Sequence, residues 1–215
     1  MKLLRIILYI GLFGLTTLAQ AQTIIPLERG KGGVRAKNID DYKDEMKMAE
    51  RQRNDSLQYV DHLRRAFNAL HTDSIGQAEL LFNKALKLRP TAPGNHVIKF
   101  NLGLIDMARG QNVEAVKKLT DIIKEYPNYF DARLARAEAN LQLNKANEAV
   151  EDAEQVLDKT DFEGVTPLLI ERARFIRAAA RYQLRLFNDA HADLRVILAD
   201  NPQNTNAQIL DALTL

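Results

Sequence analysis

The sequence contains no cysteine. That excludes disulfides, a thiolate nucleophile, a thiolate metal centre and a lipid-bearing cysteine behind a signal segment. Its one apolar run, Ile6 to Leu18, is shorter than the about 20 residues that a comfortable membrane-spanning helix needs. Charge of one sign is also missing. The formal net charge of +2 is carried by Lys2 and Arg5, leaving 28 basic against 28 acidic residues in the rest of the chain. A neutral chain gives no electrostatic reason to expect nucleic acid as a partner.

Catalytic and metal motifs are absent as well. The four histidines, His62, His71, His96 and His191, do not stand at the i, i+4 spacing of a zinc helix with a partner glutamate. They are expected on surfaces or in loops. There is no Gly-x-Ser-x-Gly elbow. Gly30-Lys31-Gly32-Gly33 lacks the Walker spacing and its Lys-Ser/Thr ending, and reads as linker. Acidic pairs such as Glu151-Asp152 are expected on a solvated helix face. No strand period stands out. The expectation is a non-enzymatic chain with no cofactor and no metal.

What is present begins with a leader. Lys2 and Arg5 form a positive start, Ile6 to Leu18 an apolar segment, and Ala19-Gln20-Ala21 a small-x-small cleavage pattern. Residues 1–21 thus read as a cleaved secretory signal, with the mature chain starting at Gln22 and a periplasmic destination expected. Residues 22–37, rich in glycine and without a period, read as a flexible leader. Residues 38–56 read as a charged helix, capped by Asn38 or Asp40, with Asp40, Asp41, Asp44 and Glu45 at the positive end of its dipole. Its stripe of Ile39, Tyr42, Met46 and Ala49 is expected to dock as an N-terminal cap. A coiled-coil dimer is the alternative, though Arg53 and Ser56 break the stripe well short of the three or four heptads a coiled coil needs. Asn54-Asp55-Ser56 is expected to restart a helix.

From residue 57 to 202 the chain repeats itself. Asn101 to Pro127 reads as two short helices around a turn at Arg109-Gly110-Gln111-Asn112. Small residues Gly103 and Ala115 allow close helix approach, Leu119 and Ile122 supply bulk, and Pro127 stops the second helix. The same places hold Ala137, Ala149, Ala153 and Val156 in the next copy, 34 residues on. They hold Ala178, Ala190, Leu194, Ile197 and Pro202 in the last copy. Upstream they hold Ala66, Ala78, Phe82, Ala85 and Pro90. Short insertions at Thr91–Gly94 and around Asp161–Pro167 fall between copies. Residues 203–215 read as a last helix started by Asn204 or Thr205, with Ile209, Leu210, Leu213 and Leu215 covering the open edge of the array.

The pattern resembles the tetratricopeptide repeat, a 34-residue helix–turn–helix unit. The resemblance implies an all-α fold: a right-handed superhelical solenoid of about four units with capping helices at both ends. It also implies a groove lined by the first helices that binds another protein or an extended peptide. The first helices depart from the family pattern. Charged or polar residues occupy places usually apolar: Lys99 and Asp106; Arg133, Arg136 and Asn140; Arg174, Arg177 and Arg181. Phe100, Leu104, Met107, Leu134, Leu141, Phe175 and Tyr182 are the candidate apolar contacts, some of them equally suited to the core. The family's carboxylate clamp does not match: Leu63, Phe67, Asp131 and Ala135 stand where it needs Lys, Asn, Lys and Arg, and only Asn101 agrees.

Arg174, Arg177, Arg181 and Arg185 follow at helical spacing, with Arg133 and Arg136 in the equivalent copy. Arginine forks suit carboxylates and other anions. Two readings stand side by side: a solvated face paired with acids such as Glu148, Glu151 and Asp152, or a ladder for an acidic peptide or an anionic glycan. The partner expected is a protein or peptide in the bacterial envelope, with no nucleic acid, no stable membrane insertion, and a monomer or weak dimer.

Overall fold

The computed structural model describes residues 39–215, with side chains from residue 43 onward. The expected signal, 1–21, and leader, 22–37, lie outside the described residues. Among the described residues every regular element is an α-helix: α1 Ile39–His71, α2 Ile75–Leu88, α3 Asn95–Ala108, α4 Asn112–Glu125, α5 Phe130–Gln142, α6 Ala146–Leu157, α7 Pro167–Gln183, α8 Phe187–Asp200 and α9 Thr205–Ala212. The fold is an all-α helical repeat solenoid. The described residues divide into two compact units, with the boundary between Ile98 and Lys99.

In the first unit α1 packs on α2. The pair buries Tyr59, Leu63, Ala66 and Ala69 with Ala78, Leu81, Phe82 and Ala85, and Phe67 meets Phe82 edge-on at 5.3 Å. The Tyr59 hydroxyl donates to Asn95 Oδ1 at 3.0 Å, and Asn95 Nδ2 donates to the carbonyls of Arg89 and Pro90 at 2.7 and 2.9 Å. A buried tyrosine and a buried asparagine thereby satisfy the loop that follows α2. Two expectations fail here. Asn54-Asp55-Ser56 does not restart a helix, because α1 runs unbroken for 33 residues. On an exposed stretch these polar side chains face water without interrupting the ladder, and Ser56 Oγ donates back to the Gln52 carbonyl at 2.7 Å. Nor do Met46 and Ala49 of the N-terminal stripe dock as a cap, since every residue from 43 to 54 is exposed; the side chains of Ile39 and Tyr42 lie outside the description.

In the second unit the small residues do what their spacing requires. Ala115, Ala137, Ala149, Ala178 and Ala190 are fully buried. At Gly103 an added Cβ would lie 3.3 Å from Leu119 Cγ, so α3 and α4 cross at a distance that only glycine meets without displacement. Phe100, Leu119, Ile122 and Ala135 form one core cluster, and Leu134, Ala149, Val156 and Ile176 a second. Leu194, Ile197 and Ala207 form a third where α9 closes the end. Asn204 caps α9, its Oδ1 accepting from the Ala207 amide at 3.0 Å. The expected cover is only partial: Leu210 packs inward, whereas Ile209, Leu213 and Leu215 stay exposed. An eight-residue helix has one face to offer, and Ala207 and Leu210 take it.

The turns inside the four hairpins are one motif. Asp73, Gly110, Asn144 and Arg185 all have positive φ, between 57° and 76°. The amide after each bonds at 2.8 Å to a carbonyl five residues back: Ser74 to Ala69, Gln111 to Asp106, Lys145 to Asn140, Leu186 to Arg181. This left-handed helix end satisfies the last carbonyls and turns the chain into the second helix. It also removes Arg185 from the arginine face, because α7 has already ended at Gln183.

Candidate functional site

The charged residues of the second unit's first helices are paired inside the hairpins. Arg136 on α5 grips Asp152 on α6 with both arms of its fork, at 2.8 and 2.6 Å, and its third nitrogen donates to Thr120 Oγ1 at 3.1 Å. Arg133 approaches the same carboxylate at 3.5 Å and donates to the Pro127 carbonyl at 3.0 Å. On the next hairpin Arg177 grips Asp193 at 2.9 and 2.6 Å, and Arg181 adds a bond to it at 2.8 Å. Glu154 sits 3.8 and 3.6 Å from those two guanidiniums. Asp152 and Asp193 are buried at equivalent places, sixteen residues beyond the arginine each binds. The hydrogen bonds to these acids push the pKa of Arg136 and of Arg177 above its ordinary value, against the opposing cost of burial. In the hairpin of α3 and α4 the polarity reverses: buried Asp106 lies on the first helix and Lys118 on the second.

A third bridge joins successive first helices. Arg172 on α7 donates to both oxygens of Glu138 on α5, at 2.8 and 2.9 Å, with Asp131 at 3.9 Å. Burial raises the Asp131 pKa, and the Arg172 charge offsets only part of that rise. Burial, helped by the Asp131 charge, also pushes the Tyr129 hydroxyl well above the usual phenol range. Gln183 Nε2 donates to the Leu141 carbonyl at 3.2 Å, tying the far ends of α7 and α5.

Beside these bridges runs a row of apolar side chains. Met107, Leu141 and Tyr182 hold the same place on α3, α5 and α7, and each is half-buried. Tyr182 leans on Phe187, ring centroids 5.5 Å apart. Leu104 and Phe175 are also half-buried, packed against the clusters below them.

The sequence-based candidates therefore separate. Phe100 and Leu134 are 2% and 0% exposed and belong to the core, where no partner reaches them. Arg133, Arg136, Arg177 and Arg181 keep only 15–21% of their side-chain surface and face internal acids. The expected pairing with Asp152 is present for Arg133 and Arg136, but inside the hairpin rather than on a solvated face, and no free ladder forms. Arg174 is half-buried, and Arg185 is an exposed turn residue. Asp152, expected in solvent, is the buried anchor of its hairpin. Met107, Leu141, Tyr182, Leu104 and Phe175 keep surface that a partner can touch. Asp193 and Glu138 were not among the sequence-based candidates. The sixteen-residue offset shared by Arg136–Asp152 and Arg177–Asp193 is a signal that would have found the first of them.

Hairpins that repeat at 34 to 41 residues, share one left-handed turn and cross at paired small residues leave one assignment. This is the tetratricopeptide-repeat fold. Solved structures agree. A tetratricopeptide repeat protein from Parabacteroides merdae ATCC 43184 superimposes with a TM-score of 0.62 at 20% identity, over 74% of this chain and 59% of that one. The present chain thus spans about three-fifths of that protein's length. MamA from Desulfovibrio magneticus RS-1 (residues 41 to the end) gives 0.62 at 13% identity, over 73% and 83% of the two chains. The first tetratricopeptide repeat domain of human RPAP3 gives 0.50 at 22%, over 57% and 91%. At these identities the likeness concerns the fold. No protein-family model matches the sequence. No curated protein sequence matches it.

Proposed function

We propose that the protein is a non-enzymatic scaffold of the bacterial cell envelope that binds another protein, or an extended peptide, along the first-helix face of its repeats. One observation carries the reading: Met107, Leu141 and Tyr182 present half-open apolar surface at one repeating place on the first helices of three successive hairpins. An extended chain binds such a row by setting successive side chains against successive helices. The bridges beneath it, Arg172–Glu138 and Gln183 to Leu141, hold two of those helices in fixed register, which lowers the ordering cost of binding. A glycan ladder has less support, because Arg136, Arg177 and Arg181 already spend their forks on Asp152 and Asp193. The envelope destination rests on Lys2, Arg5, the Ile6–Leu18 run and Ala19-Gln20-Ala21.

Among the described residues no helix is long and apolar enough to cross a membrane, and no group of three or more His, Asp or Glu side chains is arranged to hold a metal ion. The test is site-specific photo-cross-linking in the producing cell. A cross-linker at Met107, Leu141 or Tyr182 should trap one and the same polypeptide. At Lys117, Glu151 or Arg195, exposed on second helices, it should trap none of it. Equal yields on both sets, or adducts on the second helices alone, would reject the first-helix face. N-terminal sequencing of the exported protein should begin at Gln22; a retained Met1 would reject the envelope assignment.

A further inference from the structure

We infer that the exposed start of α1 is a self-association element that pairs antiparallel with α1 of a second copy of this chain. α1 has 33 residues and its hairpin partner α2 has 14. The excess of 19 residues corresponds to about 28 Å of helix at 1.5 Å per residue. Residues 43 to 54 are exposed without exception, and Met46 on the stripe shows 74% of its surface. A single helix of this length gains little from itself in water. The ion pair between Asp44 and Lys47 is exposed on both sides, at 4.0 Å, and adds little. Met46 and Ala49, the described part of the stripe, therefore stay open to water.

Charge decides what covers them. Seam positions 46, 49, 53 and 56 are flanked by Lys43 and Glu50 on one edge and Glu45 and Gln52 on the other. A parallel pair would set Glu45 of each copy against Glu50 of the other, and Arg53 against Arg53. Both contacts are between like charges. Turning one helix round puts Met46 opposite Ala49, Lys43 beside Glu50 on one edge in two symmetric copies, and the two Arg53 residues far apart. The antiparallel arrangement is closed and two-fold, the usual symmetry of a homodimer. The seam is short, so the dimer is of the kind that dissociates on dilution.

The cysteine-free sequence makes the register measurable. Met46→Cys and Ala49→Cys chains are mixed, allowed to exchange, and oxidised. The mixture should give a disulfide-linked dimer, because those positions face each other. Either variant alone should cross-link far more slowly, because its own copies are offset by three residues, about 4.5 Å along the axis, and that offset added to the gap between the helices exceeds the about 7 Å that a disulfide spans. Sedimentation of the purified protein between about 1 and 300 µM should show monomer rising toward dimer. A Met46→Glu/Ala49→Glu variant should stay monomeric with an unchanged helical spectrum, since both side chains are exposed. Cross-linking of Met46→Cys alone as fast as the mixture would overturn the antiparallel register. A monomer at every concentration would overturn the self-association. Neither outcome bears on the Met107–Leu141–Tyr182 row, which lies in the other unit.

Discussion

Replacing Asp193 by Asn tests whether the arginine face is an internal brace. The carboxylate is 5% exposed and takes two bonds from Arg177 and one from Arg181, whose side chains are 17% and 21% exposed. Asn keeps the shape and removes the charge. It leaves two guanidiniums sharing Glu154 alone, at 3.8 and 3.6 Å. Breaking a fully buried pair from one side costs about 3–5 kcal/mol. Here the guanidiniums retain some water and one acid, so the loss should be about 2–4 kcal/mol. That corresponds to roughly 5–15 °C in melting temperature for a chain of this size. Urea unfolding followed by circular dichroism measures it. Hydrogen exchange should place the loss in α7 and α8, because repeat arrays open locally. The triple variant Arg177→Met, Arg181→Leu, Asp193→Leu separates pairing from burial and should recover most of the stability, since apolar side chains of similar volume often replace a buried ion pair without loss. A D193N protein within about 0.5 kcal/mol of the parent would refute the brace, as that is the scatter of ordinary surface substitutions.

Arg185 holds a left-handed backbone, φ 61°, so Arg185→Gly should stabilise by about 0.5–1 kcal/mol in the same urea assay, with no effect on partner capture if the residue is only a turn. Gly103→Leu should destabilise by about 2–3 kcal/mol, because even a Cβ there meets Leu119 at 3.3 Å; melting temperature would show it. For Asp131 the sign follows from a pKa raised in the folded protein. The ionised acid is disfavoured by folding, so its contribution is intact below its unfolded value of about 3.9 and is lost as the pH rises through the folded value. Asp131→Asn should therefore melt higher than the parent at pH 7, and the difference should close as the pH falls below about 4; a pH series of thermal melts reads both.

Much of the fold was legible because repetition multiplies weak signals. Ala137, Ala149, Ala178 and Ala190 stand out only by recurring, and each is fully buried. Pro90, Pro127 and Pro202 each follow a helix end by two residues, as a ring without an N–H dictates. The failures also have causes. Helical spacing placed Arg185 beside Arg181, but a periodicity cannot report that the helix ends at Gln183. Asn54-Asp55-Ser56 has the composition of a cap, yet capping preference amounts to about 1 kcal/mol and does not break a helix whose backbone is otherwise continuous. Phe100 and Leu134 read as contacts because a one-dimensional pattern does not tell the groove side of a first helix from the side facing its neighbours.

The polar bridges answer a problem that repetition creates. Helices of similar shape can pair with the wrong neighbour, and alanines at every crossing do not prevent it. The charges do. The hairpin of α3 and α4 carries its acid on the first helix and its base on the second, whereas the two that follow are reversed. Setting α3 against α6 would bring Asp106 to Asp152, two buried acids with no base between them. That error places like charges where little water reaches, at a cost of several kcal/mol, comparable to a large share of a domain's whole stability. The residues that depart from the family's apolar pattern are thus the ones that make each hairpin recognise its own second half.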